Sequence, residues 1–288
     1  MTDDDPFVAH RSLLFTVAYE LLGTAADAED VVQETWLRWA AARAEVRDPR
    51  AYLVRIVTRQ ALNRLRTLAR RREDYVGPWL PEPLRTSPDV AEDVELAESV
   101  SVAMLTVLET LAPTERAVFV LREVFDISYA EIAATLGKSP AAVRQIAHRA
   151  RDHVAARRPR ITVSRAEQDA VVHRFLSAVR GGDLQGLLDV LAPDVIILAD
   201  GGGVVTAARH PIHGAARAAK FLAMLADLPD YAMTPLRLNG GPALRVDLAS
   251  ELDTVASLVV EDGRITRIFA IRNPAKLAHL TEEATLTR

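Results

Sequence analysis

Apolar residues recur at helical spacing through most of the first 160 positions. In residues 10–22, Leu13, Leu14, Val17, Ala18, Leu21 and Leu22 share one side, and Gly23-Thr24 closes the segment. Asp27, Glu29 and Asp30 put negative charge at the start of a second helix, where the macrodipole favours it. Asp48-Pro49 opens a third helix that runs to about Arg72. Residues 77–88 then hold four prolines, which predicts an extended linker rather than helix or sheet interior. Trp79, Leu80 and Leu84 within it are apolar, so the linker is expected to pack on a neighbouring domain. Helical patterning resumes near Ala91 and continues to about Arg157, broken at Pro113 and Gly137. From Ser164 to about Arg272 the pattern changes. Helical stretches at 166–180 and 214–228 alternate with β-rich runs at 195–199, 243–247, 254–260 and 265–271, the mark of an α+β domain.

Composition narrows the class. At 288 residues, two or three domains are expected. Hydrophobic residues at 49% and charged residues at 26% are those of a globular chain, and no apolar run approaches membrane-spanning length. The start, Met1-Thr2-Asp3-Asp4-Asp5, is acidic where a signal peptide would be basic, so a cytoplasmic protein without a membrane partner is expected. The absence of cysteine excludes disulfides, thiol redox chemistry and thiolate metal sites. The histidines lack ligand spacing, and neither a metal nor a cofactor is expected. A net charge of −4 conceals an uneven distribution: Arg47, Arg50, Arg55, Arg59, Arg64, Arg66, Arg70, Arg71 and Arg72 face the single acid Asp48 along the third helix. A solvated helix face usually mixes its signs, whereas a phosphate backbone attracts such a stripe.

The clearest motif lies at residues 127–151. Ser128 can cap a short helix with Ile132, Ala133 and Leu136 inward, Gly137 permits a sharp turn, and a second helix starts near Pro140. Val143, Ala147, Ala150 and Val154 share its inner face, which leaves Arg144, Gln145, His148, Arg149 and Arg151 towards the outside. This helix-turn-helix pattern suits a major groove, where arginine and glutamine read base edges. A helical hairpin with solvated arginines has the same local pattern. The following Arg157-Arg158-Pro159-Arg160 adds phosphate-binding charge and favours the nucleic-acid reading.

Residues 108–122, with Leu111, Pro113, Glu115 and Arg116, precede this motif, and the order Leu-x-Pro-x-Glu-Arg, Ser-Tyr-x-Glu-Ile-Ala, Gly, Val-Arg resembles domain four of sigma-70-class factors. That resemblance implies binding to the −35 promoter element and to the polymerase β flap. Residues 28–39 resemble the sigma segment that grips the β′ clamp helices, implying polymerase contacts by Asp30, Val32, Gln33, Glu34, Trp36 and Leu37. From the residues alone, Val32, Trp36 and Trp39 would be read as core. The arginine-rich helix is similar to the part of sigma domain two that engages the −10 element, implying Tyr52, Arg55, Arg59, Asn63 and Arg66 as contacts. Two sigma domains with no large domain three between them resemble an extracytoplasmic-function sigma factor over residues 7–157, with core RNA polymerase and promoter DNA as the implied partners.

Residues 164–272 resemble an SnoaL-like, NTF2-like domain. The narrower resemblance, to the sigma group with such a domain fused on, rests on three motifs: Trp79-Leu80-Pro81-Glu82-Pro83, Asp200-Gly201-Gly202-Gly203, and Asn273-Pro274-Ala275-Lys276-Leu277. The group usually has an acidic residue at the place of Ala275 and often a basic one at that of Val204, so the chain departs from it there. The expected architecture is multidomain: an all-α sigma domain 2 bundle at 1–75, a proline-rich linker at 76–95, an all-α sigma domain 4 helix-turn-helix at 96–160, and an α+β NTF2-like cone at 161–288. Such cones are active sites in some proteins and scaffolds in others. Asp200, Asp194, His173, His210 and His213 are the acid–base candidates, but none forms a tight pair in sequence, so no catalytic residue is expected. Regulation by contact, through Trp79 to Pro83, Asp200 to Gly203, Asn273, Pro274, Lys276 and Leu277, is the expectation. An unknown small-molecule ligand in the pocket stays open. Two other classes remain: a one-component helix-turn-helix regulator with a ligand-sensing or catalytic C-terminal domain, and an enzyme with a DNA-targeting arm.

Overall fold

The computed structural model describes residues 5–42, 46–86, 90, 93–158, 163–228, 230–280 and 283–288, with the side chains of 69–73 left aside. The expected Arg70, Arg71 and Arg72 contributions to the basic stripe lie outside the described side chains. Helices α1 (Pro6–Leu22), α2 (Ala25–Ala42) and α3 (Pro49–Glu73) form the first bundle. Asp5 caps α1, and Gly23 ends it in the left-handed conformation. The second helical unit comprises α4 (Val94–Ser99), α5 (Val102–Leu108), α6 (Pro113–Phe119) continuing into a π turn at Val120–Val124, α7 (Tyr129–Leu136) and α8 (Pro140–Ala155). Among the described residues, no helix is long and apolar enough to cross a membrane.

The last unit contains α9 (Arg165–Arg180), α10 (Leu184–Val190), α11 (Ala215–Ala223) and the short α12 (Pro274–Leu277) around a mixed sheet. Its strands are β1 (Arg85–Thr86), β2 (Leu191–Asp200), β3 (Ile212–His213), β4 (Tyr231–Leu238), β5 (Gly241–Leu248), β6 (Glu251–Glu261), β7 (Arg264–Ile271) and β8 (Glu283–Ala284). Their order is β3-β2-β7-β6-β5-β4-β1-β8, with β2–β7 and β1–β8 parallel and the other pairs antiparallel. This is the α+β domain the pattern predicts, with two differences. Strand β4 is absent from the sequence expectation because Pro235 interrupts it. Proline is tolerated there because the outer edge of β4 pairs with β1 only at Leu238. The linker is not free of sheet: Arg85 and Thr86, lying between Pro83 and Pro88, keep their N–H groups and enter the ladder between β4 and β8.

Burial explains how the units are joined. One continuous apolar core runs from α1–α3 through α4–α8, so the two helical units are packed on each other rather than separate. Leu286, from beyond the sheet, is buried in that same core. The sheet is covered on both faces: Ala256, Leu258 and Val260 of β6 face the α9–α11 side, while Val255 and Val259 pack with Leu80 of the linker, Val102 of α5 and Leu277. A strand buried on both sides needs a near-continuous apolar run, which residues 254–260 supply.

Candidate nucleic-acid interface and interdomain clamp

The helix-turn-helix is built as its sequence dictates. Ser128 and Glu131 form a reciprocal capping box on α7, Gly137 turns with φ 64°, and Ser139 caps α8 ahead of Pro140. Val143, Ala147, Ala150 and Val154 are buried, which turns Arg144, Gln145, His148, Arg149 and Arg151 to the outside. Their ion partners lie on the same surface: Asp152 is 2.8 Å from His148, Glu115 3.6 Å from Arg149 and Glu123 3.6 Å from Arg151. Exposed pairs of this kind contribute little and exchange readily for phosphate.

The arginine stripe of α3 is divided in its uses. Arg55 lies over the Tyr52 ring at 5.4 Å, and Arg66 donates to Asn63 at 3.2 Å. Arg64 instead ties α3 to α2 by pairing with Asp27 at 2.7 Å and Asp30 at 2.6 Å; the hydrogen bond to Asp27 raises its pKa above the usual value. Arg59 donates to the backbone carbonyls of Thr135 (2.8 Å) and Ala134 (3.1 Å) at the end of α7. A cleft of about 540 Å³ lies between Arg47, Tyr52 and Arg55 on one side and Phe125, Asp126 and Glu131 on the other. On α2, Asp30, Gln33, Glu34 and Leu37 are exposed and Trp36 is half-buried. Val32 is a correction: at 2% exposure it packs in the bundle core, because its position on α2 faces α1 and α3, so it is not available to another surface.

The three short motifs converge on the linker. Asp200, wholly buried at the end of β2, accepts from Tyr75 Oη (2.5 Å) and Gly202 N (3.0 Å) through Oδ1, and from Leu80 N (2.9 Å) and Lys276 Nζ (2.7 Å) through Oδ2. Lys276 also donates to the Leu80 carbonyl at 2.5 Å and sits 4.2 Å from the Trp79 ring and 5.0 Å from that of Tyr75. Asn273 caps α12 and donates to Tyr75 Oη at 2.9 Å. Gly202, at φ 63°, must be glycine: a Cβ there would lie 2.4 Å from the Asn273 amide. Burial and the Asp200 carboxylate push the Tyr75 phenol well above its usual range, so it serves as a donor. The side chains of Val204 and Ala275 are both exposed, and Ala275 contributes only its backbone N–H, which donates to Asn273 Oδ1 at 3.1 Å.

A second junction holds the other side of the linker. Glu82, nearly buried, accepts from Ala25 N at the start of α2 (2.7 Å) and lies 3.1 Å from His279 Nδ1. Its backbone bonds Gly23 O (2.8 Å) and Tyr19 Oη (2.7 Å). Asn239, at the β4–β5 turn, donates to Tyr19 Oη (2.7 Å) and Val100 O (2.9 Å) and accepts from Leu84 N (2.9 Å). Pro81 and Pro83 are buried beside them. Beneath, the buried Arg116 of α6 donates to Glu20 O at 2.9 Å and pairs with Glu109, while Ser99 donates to Glu20 Oε1 at 2.8 Å. Burial pushes Glu20 up to about 8 and Arg116 down to about 9. Tyr75, Asn239, Glu20 and Arg116 were not singled out as contacts by the sequence; of the four, Arg116 alone belongs to a motif read there, the Leu-x-Pro-x-Glu-Arg order.

Of the acid–base candidates, Asp194, His173, His210 and His213 are exposed, and Asp200 already accepts four hydrogen bonds, from Tyr75, Leu80, Gly202 and Lys276. None lines the apolar cavity of the cone.

Family models for Sigma-70 region 2 and Sigma-70, region 4 match residues 7–71 and 101–154. The ECF RNA polymerase sigma factor SigJ of Mycobacterium tuberculosis is 37% identical over 285 residues, 94% of this chain and 91% of SigJ. The probable ECF RNA polymerase sigma factor SigI of the same species is 33% identical over 98% of this chain and 99% of SigI. The crystal structure of the M. tuberculosis extracytoplasmic function sigma factor SigJ superimposes with a TM-score of 0.78 at 34% identity, covering 94% of this chain and 97% of that one. The chain therefore belongs to the extracytoplasmic-function RNA polymerase sigma factors, with an α+β domain C-terminal to the sigma regions.

Proposed function

We propose that this sigma factor is held closed by its own C-terminal domain, acting through the linker, and that promoter recognition requires the two sigma domains to part. The observation that carries the reading is the Arg59 guanidinium, a −10 candidate, engaged with the last carbonyls of the first helix of the helix-turn-helix. The −10 and −35 elements lie some twenty-five base pairs apart, roughly 80 Å on B-DNA. A packed unit of about 150 residues is only roughly 40 Å across. The closed form cannot serve both elements at once.

In the open form, Tyr52, Arg55, Arg59, Asn63 and Arg66 meet the −10 strand, and Arg144, Gln145, His148, Arg149 and Arg151 meet the −35 groove. Asp30, Gln33, Glu34, Trp36 and Leu37 meet the β′ clamp helices, and the helix-turn-helix domain meets the β flap. The functional units are residues 1–75, 76–95, 96–160 and 161–288, and the site of action is the cytoplasm, where polymerase works. No catalytic step is assigned to the cone. The chain's lack of cysteine permits a direct test. A Cβ on Gly203 would lie 3.0 Å from that of Val76, within a small shift of disulfide geometry. In the Val76→Cys/Gly203→Cys variant, oxidation should lower transcription by core polymerase and reduction should restore it. Equal output in both states would refute the reading.

A further inference from the structure

The cone encloses a cavity of about 470 Å³ that the clamp does not use. Phe175, Ile197, Leu222, Met233, Leu244 and Leu258 are among its lining residues, and the wall is almost wholly apolar. The volume falls in the roughly 300–1,000 Å³ range of small-ligand pockets. Interiors are otherwise close-packed, and dry apolar cavities take up apolar molecules. Phe221 and Leu228, which also line the cavity, are each 41% exposed. The charged lining residues neutralise each other: Arg272 Nη2 is 2.7 Å from Asp253 Oδ1, its Nε is 3.1 Å from Oδ2, and its Nη1 donates to Thr206 O. Asp253 would be raised by burial, but bonds from Arg272 and Thr254 outweigh this and hold it below the usual carboxylate range. A charged ligand would meet no spare counter-charge and lose its hydration. Tyr231 also lines the wall, and its buried hydroxyl has no partner among the described residues.

The cavity and the clamp share backbone. Ala199 lines the cavity and Asp200, the next residue, holds Tyr75 and Leu80; Arg272 lines it and Asn273 holds Tyr75. Ala199 pairs with Ala270, another lining residue, across β2 and β7. We infer that the cone binds an uncharged, ring-sized apolar molecule with one hydroxyl or carbonyl for Tyr231, and that its occupancy stiffens the ends of β2 and β7 and tightens the linker clamp. Ligand and closed form then favour each other reciprocally. The consequence for transcription rests on the closed-form reading above; binding and its effect on the linker do not.

The neutral fluorophore N-phenyl-1-naphthylamine serves as probe on the full chain. Saturable binding is expected, weakened about tenfold or more by filling the wall with Ala256→Phe or Ala270→Phe, each checked for native circular dichroism. At saturation, hydrogen exchange of the peptide containing Leu80 should slow by about threefold or more in the unmodified chain and not in the filled variants. Absence of saturable binding, binding untouched by both fillings, or unchanged linker exchange at saturation would each overturn the inference. If the probe binds and slows exchange while the oxidised cysteine pair leaves transcription unchanged, the cavity stands and the closed-form reading falls.

Discussion

Replacing Asp200 by asparagine should undock the linker while leaving the cone folded. Of the four donors on its carboxylate, Gly202 and Lys276 belong to the cone itself and stay beside it whether or not the linker is seated. On the Asp200 carboxylate itself, the bonds from Tyr75 and Leu80 N are the two that distinguish docked from undocked. Hydrogen bonds to charged groups contribute about 1.5–3 kcal/mol each, and water recovers part of that on undocking. A net loss of about 2–4 kcal/mol follows, or roughly thirty- to a thousandfold in the docking equilibrium. Exchange of the Leu80 amide, read by mass spectrometry, should accelerate to match. Lys276→Met removes the other charge, and because a lone buried charge is worse than none, the Asp200→Asn/Lys276→Met double variant should cost less than the sum of the singles. Linker exchange within about threefold of the unmodified chain in Asp200→Asn, with circular dichroism intact, would refute the clamp energetics.

Other substitutions test the remaining layers. Glu20, raised by burial to about 8 from an unfolded value of 4.5, stays protonated in the folded chain across that window; its stabilisation is complete below the lower value and is lost as pH rises through the upper one. The urea midpoint should therefore fall between pH 5.5 and 8.5, and fall less in Glu20→Gln. Arg144→Ala should weaken holoenzyme binding to a −35 site by about 1–3 kcal/mol in a filter-binding assay, with binding to core enzyme unchanged. Leu286→Ala empties a position buried in the core shared by the sigma domains and should lower the stability of that core by about 2–3 kcal/mol in chemical denaturation; an unchanged midpoint would mean that the tail is not seated there in solution.

What was legible in the sequence was local. The helix-turn-helix follows from Ser128, Gly137 and Pro140, each acting within a few residues, and the two-sided burial of β6 agrees with a near-continuous apolar run that only Ser257 interrupts between Val255 and Val260. The short motifs marked Asp200, Lys276 and Leu80 as belonging together, but the reason lies in bonds no periodicity encodes. Tyr75 meets Asp200 across 125 positions and Asn239 meets Tyr19 across 220. Strands β1 and β8 are two residues each and exist only because the linker and the tail are brought side by side. Val32 illustrates the converse: a motif placed it at an interface, while its turn of α2 points it inward.

The closed arrangement also constrains the order of events on polymerase. Gln33, Glu34 and Leu37 are exposed although the sigma domains are packed together, whereas Arg59 is occupied. A contact equally available in both states shifts no equilibrium, however tight it is. On the closed-form proposal, docking through α2 therefore cannot by itself open the molecule. The driving force must come from surfaces that only the parted domains offer: the Arg59 face of α3 and the side of α7 it covers. Parting them exposes apolar residues of the shared core, so polymerase and promoter must together outweigh both that exposure and the linker bonds at Asp200 and Asn239. On that proposal the clamp acts as an adjustable threshold added to a cost that the sigma domains carry themselves.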